Sequence, residues 1–121
     1  MTASLKRIGT SLQKYAAGFP EAWEDHPWDE TVYKVGKKIF VFFGAREPTL
    51  LGLTVKLPDS GEFALSLPFA EVPGYGLGRG GWVSAIFAPG DEVPVDILKD
   101  WIEESYRTIA PKKLLEQLDG G

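Results

Sequence analysis

Lysine is the residue most able to do chemistry in this sequence. Lys34, Lys37, Lys38, Arg46 and Lys56 fall together in one run of expected strands. Such a cluster can neutralise phosphates, and Tyr33, Phe40 and Trp82 can stack on an unpaired base wherever they face outward. Lysines at strand edges and turns also keep sheets from associating edge to edge, which gives the cluster a purely protective use as well. Immediately upstream, Glu21, Glu24, Asp25, Asp29 and Glu30 surround His26, the only histidine. Clustered carboxylates can hold a hard cation, but such sites need about six well-placed oxygen ligands and this spacing forms no compact ligand loop. The acids are therefore expected to pair with nearby lysines. Catalysis by His26 would need a nucleophile or substrate within reach. No cysteine, second histidine or G-x-S-x-G accompanies it, so no catalytic constellation is found and no enzyme, cofactor or metal site is expected.

The glycine-rich run Gly74-Tyr75-Gly76-Leu77-Gly78-Arg79-Gly80-Gly81 is superficially like a nucleotide-binding loop. Phosphate-binding loops follow a strand and open a helix, whereas this one feeds a strand at Trp82. It is better read as a mobile wing or a close-packing segment, with Arg79 its one charge.

The chain has 121 residues, 44% of them hydrophobic, enough for one core, so residues 1–121 are read as a single domain. A formal net charge of −4 argues against a surface that attracts nucleic acid everywhere but leaves room for a local basic patch. The apolar runs are a few residues long, far short of the ~20 needed to span a bilayer. The start MTASLKRIGT has no apolar export region. With no cysteine to oxidise, a soluble cytoplasmic protein without membrane contact is expected.

Helical spacing of Leu5, Ile8, Leu12, Tyr15 and Ala16 predicts an amphipathic helix over 4–17, with Ser4 as N-cap and Gly18 as a left-handed terminator. Residues 20–30, with Pro20 and Pro27, read as an ordered connection in which at least one of Trp23 and Trp28 folds back over the core edge. Period-two patterning then predicts strands over 31–35 and 38–43, joined by a type II′ turn at Gly36-Lys37. After a turn at 45–48, a third strand runs over 49–57 with Gly52 as a candidate bulge. A short helix over 62–67, capped by Asp59 or Ser60, follows. The chain is then loop from Phe69 until a strand at 82–87. A long helix starts at Pro94, its apolar stripe including Ile97, Trp101, Ser105, Tyr106 and Ile109. A short helix over 111–118 and a fraying Gly-Gly tail complete the chain. The order α-β-β-β-α-β-α describes an α+β two-layer sandwich, an antiparallel sheet with helices on one face and the other face open to water or a partner.

Several separated stretches carry a family resemblance: FPEAWEDHPW at 19–28, VYKVGKKIFVFF at 32–43, the PGYG and GGW of the glycine-rich loop, and Ser105-Tyr106-Arg107 in the long helix. On these residues the chain resembles the MmcQ/YjbR family of small bacterial proteins. The resemblance implies a CyaY-like, that is frataxin-like, fold and a DNA-binding role based on a double-wing shape of the sheet and its loops. Relatives often carry methionine, asparagine and lysine in the glycine-rich loop, where this chain has Tyr75-Gly76-Leu77-Gly78-Arg79-Gly80-Gly81 and Arg79 is the one charge.

The leading expectation is a small binding module that contacts DNA without sequence preference through Lys34, Lys37, Lys38, Arg46, Lys56, Arg79 and Trp82. Arg107 joins that patch if its side of the helix is open. The alternative is a protein- or small-ligand-binding module with no nucleic-acid role. Iron handling by analogy with frataxin-like proteins is a third reading.

Overall fold

The computed structural model describes residues 3–27, 30–44, 49–74 and 80–120. Its elements are α1 (Ala3–Ala17), β1 (Ala22–Asp25), β2 (Thr31–Val35), β3 (Lys38–Phe43), β4 (Leu51–Lys56), α2 (Gly61–Leu65), β5 (Ala70–Glu71), β6 (Trp82–Phe87), α3 (Val95–Ile109) and α4 (Lys112–Gly120). The strands form one sheet in the order β1-β2-β3-β4-β6-β5, and every neighbouring pair is antiparallel. The class is therefore α+β, as the sequence predicts.

Strand alternation divides the sheet into two faces. Tyr33, Val35, Val41, Phe43, Leu53, Val55, Val83, Ala85 and Phe87 belong to one buried cluster with Leu5, Leu12 and Ala16 of α1 and Leu98, Trp101, Ile102 and Tyr106 of α3. Residues of the other parity, including Trp23, Lys34, Phe42, Thr54, Lys56, Trp82 and Ser84, lie on the opposite face. Among the described residues no helix is long and apolar enough to cross a membrane.

The acidic segment differs most from expectation. Residues 22–25 are not a connection but a fourth meander strand, β1, paired with β2 from Ala22↔Val35 to Asp25↔Val32. Glutamate and aspartate are poor strand formers, yet β1 is short and lies on the sheet edge, where charged side chains are tolerated and block further pairing. Likewise, Ala70–Glu71 pairs with β6 inside the expected loop. Gly52 is not a bulge, because its strand pairs with β6 without a break from Leu51 to Lys56. The register shift instead lies in β3, between Tyr33↔Val41 and Lys34↔Ile39, so Phe40 is the extra residue and both Phe40 and Val41 are fully buried.

Helix ends also shift. α1 starts at Ala3, which puts Ser4 inside the helix. Gly18 closes it through amide bonds to the Lys14 and Tyr15 carbonyls, while the left-handed conformation falls on Glu21, at φ 57°. Ser60 occupies the N-cap of α2 without a capping bond of its own; its hydroxyl and amide, with the Asp59 amide, go to the Glu104 carboxylate of α3. Pro94 is the N-cap of α3 and not its first turn, Ile97 is exposed, and α4 extends to Gly120. The positive φ of the β2–β3 turn falls on Gly36 and not on Lys37, as a type II′ turn requires. Trp28 and the turn at 45–48 lie outside the described residues.

Candidate nucleic-acid interface

The face of the sheet that lacks α1 and α3 carries Lys34, Lys56 and Trp82, whereas Tyr33 and Phe40, the other aromatic residues picked out in the sequence, are buried in the core. Residues opposite one another on a ladder share a face. Trp23 is opposite Lys34, Lys34 opposite Ile39, and Lys56 opposite Trp82. The β3–β4 ladder stops at Val41↔Val55, and beyond it the Ser105 hydroxyl bridges the Phe40 carbonyl and the Lys56 amide, so β3 and β4 stay adjacent where Ile39 and Lys56 lie. The result is a row across five strands: Trp23, Lys34, Ile39, Lys56, Trp82.

The ends of this row are held by specific contacts. Trp23 is 45% exposed and folds over the hairpin, not the core. Its Nε1 donates to the Gly36 carbonyl at 3.0 Å, and the Lys34 ammonium sits 5.1 Å from its ring centre. Lys34 also pairs with Asp25 at 2.7 Å, and this bond, with the His26 amide on the same carboxylate, holds Asp25 below the usual carboxylate range. Lys34 is thus a partnered cation rather than a free one. Trp82 meets Phe42 edge to face at 5.4 Å, above a β4 position occupied by the small Thr54, whose hydroxyl bonds Ser84 at 2.7 Å.

Among the described residues, Lys37, Lys38 and Lys56 have no carboxylate in ion-pairing range. Lys37 and Lys38 are exposed at the hairpin tip and Lys56 is half-buried on the open face. Arg46 and Arg79 lie outside the described residues. Arg107, an expected contributor if exposed, is consumed by Glu103 at 2.9 Å and Asp119 at 2.6 Å. The structure therefore brings Lys34, Lys56 and Trp82 onto one face, sets Lys37 and Lys38 beside it, and removes Arg107 from the set.

The acids of β1 split between the faces. Glu24 points toward the core side, accepting from the Tyr33 hydroxyl at 2.6 Å and from His26 Nε2 at 2.6 Å. These bonds lower the Glu24 pKa, first through Tyr33 and then through His26. Burial, helped by Glu24, pushes the Tyr33 phenol up. Among the described residues no group of three or more histidine or acidic side chains is placed to hold a metal ion.

A second basic surface went unassigned in the sequence. α1 carries Lys6, Arg7 and Lys14 and no acid, and with Thr10 and Ser11 they line an open hollow of about 510 Å³. The absence of any carboxylate from 3–17 was the available signal. Lys6, Arg7 and Lys14 fall between the apolar positions of α1, as the polar face of any amphipathic helix does.

The antiparallel sheet, packed on one face by the helices and, among the described residues, without a helix on the other, defines a small α+β protein. The chain belongs to the YjbR family, whose family model matches residues 17–108, a stretch that contains β1 to β6 and the Trp/Lys row. A comparison with curated proteins finds no match.

Proposed function

We propose that this protein is a small cytoplasmic nucleic-acid-binding module, not an enzyme, which holds phosphate backbones without reading base sequence. Contact runs through the tip of the β2–β3 hairpin and along the bare face of the sheet. The carrying observation is that Lys37, Lys38 and Lys56 stand without acidic partners among the described residues, next to an open face bearing Trp23 and Trp82. The sequence adds Arg46 and Arg79 in the segments that follow β3 and precede β6. With few cations and a net charge of −4, the affinity is that of non-specific binding, Kd of order 10⁻⁴ to 10⁻⁶ M at physiological salt. The Lys37→Glu/Lys38→Glu double variant is expected to fold normally by circular dichroism and to lose retention of DNA in a gel-shift titration. Unchanged retention would remove the hairpin from the interface.

A second reading has its own observation. Phe63, Leu65 and Val72 are exposed at 65%, 40% and 59%. Leu65 and Val72 line a hollow of about 360 Å³ with Trp82. This apolar corner would suit a protein or small-ligand partner, and its binding would respond little to salt.

A further inference from the structure

We propose that the bare face of the sheet takes single-stranded nucleic acid, with Trp23 and Trp82 stacking on unpaired bases while Lys34 and Lys56 meet the phosphates between them. This rests on the nucleic-acid reading above and adds which form is bound and which residues select it.

The row spans the five strands β1, β2, β3, β4 and β6, with an aromatic ring at each end and a lysine directly inside each ring. Three paired steps of ~4.8 Å and a wider β3–β4 step, where the Ser105 hydroxyl is inserted, set the outer rings' backbones at least ~19 Å apart. Sheet-based single-strand readers stack two or three bases on aromatic side chains of an open sheet. Stacking on an indole needs an exposed base face, which a duplex hides, and it tolerates any base because each has a π-face.

Both rings are pre-positioned. The Gly36 carbonyl and the Lys34 ammonium hold Trp23, and Phe42 braces Trp82. Gly80 matters for the second ring, because a Cβ there would lie 3.3 Å from Trp82 Cδ1. Rings already fixed lose little freedom on binding. Duplex reading in the major groove would ask for a helix or a ribbon to enter it. α1 and α3 both pack on the other face of the sheet, so neither helix adds a groove-reading element to this surface.

The carboxylates on this face are part of the account. Asp25 pairs with Lys34, and Glu71 of β5 lies opposite Ser84 of β6. A phosphate must compete with Asp25 for Lys34, so Asp25→Asn should tighten single-strand binding, a sign that a merely structural role for the pair would not give.

The test is a titration of the whole protein with an oligothymidylate and with a duplex of equal length, read by intrinsic tryptophan fluorescence and by anisotropy of a labelled strand. The expected result is preference for the single strand with quenching. Trp23→Ala and Trp82→Leu should each weaken single-strand binding about tenfold and leave duplex binding nearly unchanged. Trp23 is exposed, so its variant remains informative if Trp82→Leu proves unstable.

Equal binding of both forms, or tryptophan variants that bind as wild type, would overturn the single-strand inference. The nucleic-acid reading would survive that outcome if binding still depended on Lys37 and Lys38. No binding of either form would remove both. Loss of binding in Lys6→Glu/Arg7→Glu/Lys14→Glu, with the tryptophan variants unaffected, would move the interface to α1 and overturn the proposal.

Discussion

The Ser105 hydroxyl donates to the Phe40 carbonyl at 2.5 Å and accepts from the Lys56 amide at 2.8 Å. One side chain of α3 thereby stands in for the rung that the β3 bulge removes from the sheet. The bulge turns both Phe40 and Val41 into the core, and Ser105 keeps β3 and β4 together where the ladder ends. Because Lys56 follows directly, the same hydroxyl sets the middle of the candidate interface.

Ser105→Ala leaves a buried carbonyl and an amide without their partner. The expected destabilisation is about 1–3 kcal/mol. Urea unfolding should show a lower midpoint with an unchanged slope. A midpoint equal to wild type would mean that the bulge is satisfied without Ser105.

Tyr106 holds the chain where it leaves α1. Its ring stacks on Phe19 at 4.6 Å and its hydroxyl donates to the Pro20 carbonyl at 2.7 Å, which steadies the strained Glu21 beyond it. Tyr106→Phe keeps the stacking and should cost about 1 kcal/mol, whereas Tyr106→Ala should cost about 3–5 kcal/mol. Similar destabilisation in the two variants would show that the hydroxyl, and not the ring, does the anchoring.

Glu104 accepts from the Ser60 hydroxyl and from the amides of Asp59 and Ser60. From α3 it bonds the N-cap amide of α2, as the glutamate of a capping box does, while Ser60 itself caps no first-turn amide. Glu104→Ala should cost about 1 kcal/mol and should raise amide exchange selectively in residues 59–65. Uniform protection across the chain would contradict a capping role.

Glu24 and Asp25 are both held below the usual carboxylate range, Glu24 chiefly by Tyr33 and Asp25 chiefly by Lys34. A depressed folded-state pKa contributes stability above the unfolded value, about 4, and loses it as pH falls through the folded value. Thermal midpoints measured from neutral pH downward should therefore fall more steeply in wild type than in Glu24→Gln/Asp25→Asn. Parallel curves would show that neither carboxylate contributes.

How far the sequence foretold this structure depended on how many levels agreed at each residue. β6 at 82–87 and the α3 stripe were legible because propensity, periodicity and punctuation coincided at Trp82, Phe87, Trp101 and Tyr106. β1 was not, because Glu24 and Asp25 disfavour strands and Pro20 and Pro27 frame them as loop; only pairing with β2 makes the segment a strand. Gly52 is the residue whose type invites a bulge, whereas the structure places it at Phe40, where Ser105 compensates from 65 positions along the chain. The lysines were legible as a cluster. Their partners were not, since the Lys34–Asp25 bond needs the β1–β2 register and the Arg107–Asp119 bond needs α4 to return on α3.

The salt dependence of binding tests the central claim most directly. Anisotropy of a labelled DNA strand, titrated with wild-type protein and with Lys37→Glu/Lys38→Glu at salt from about 50 to 200 mM, should give affinity that falls linearly on a log–log plot. The slope should be shallower in the variant, by about 0.7 for each phosphate it no longer neutralises. Affinity that is flat in salt, or identical slopes and affinities for the two proteins, would contradict phosphate binding at the hairpin.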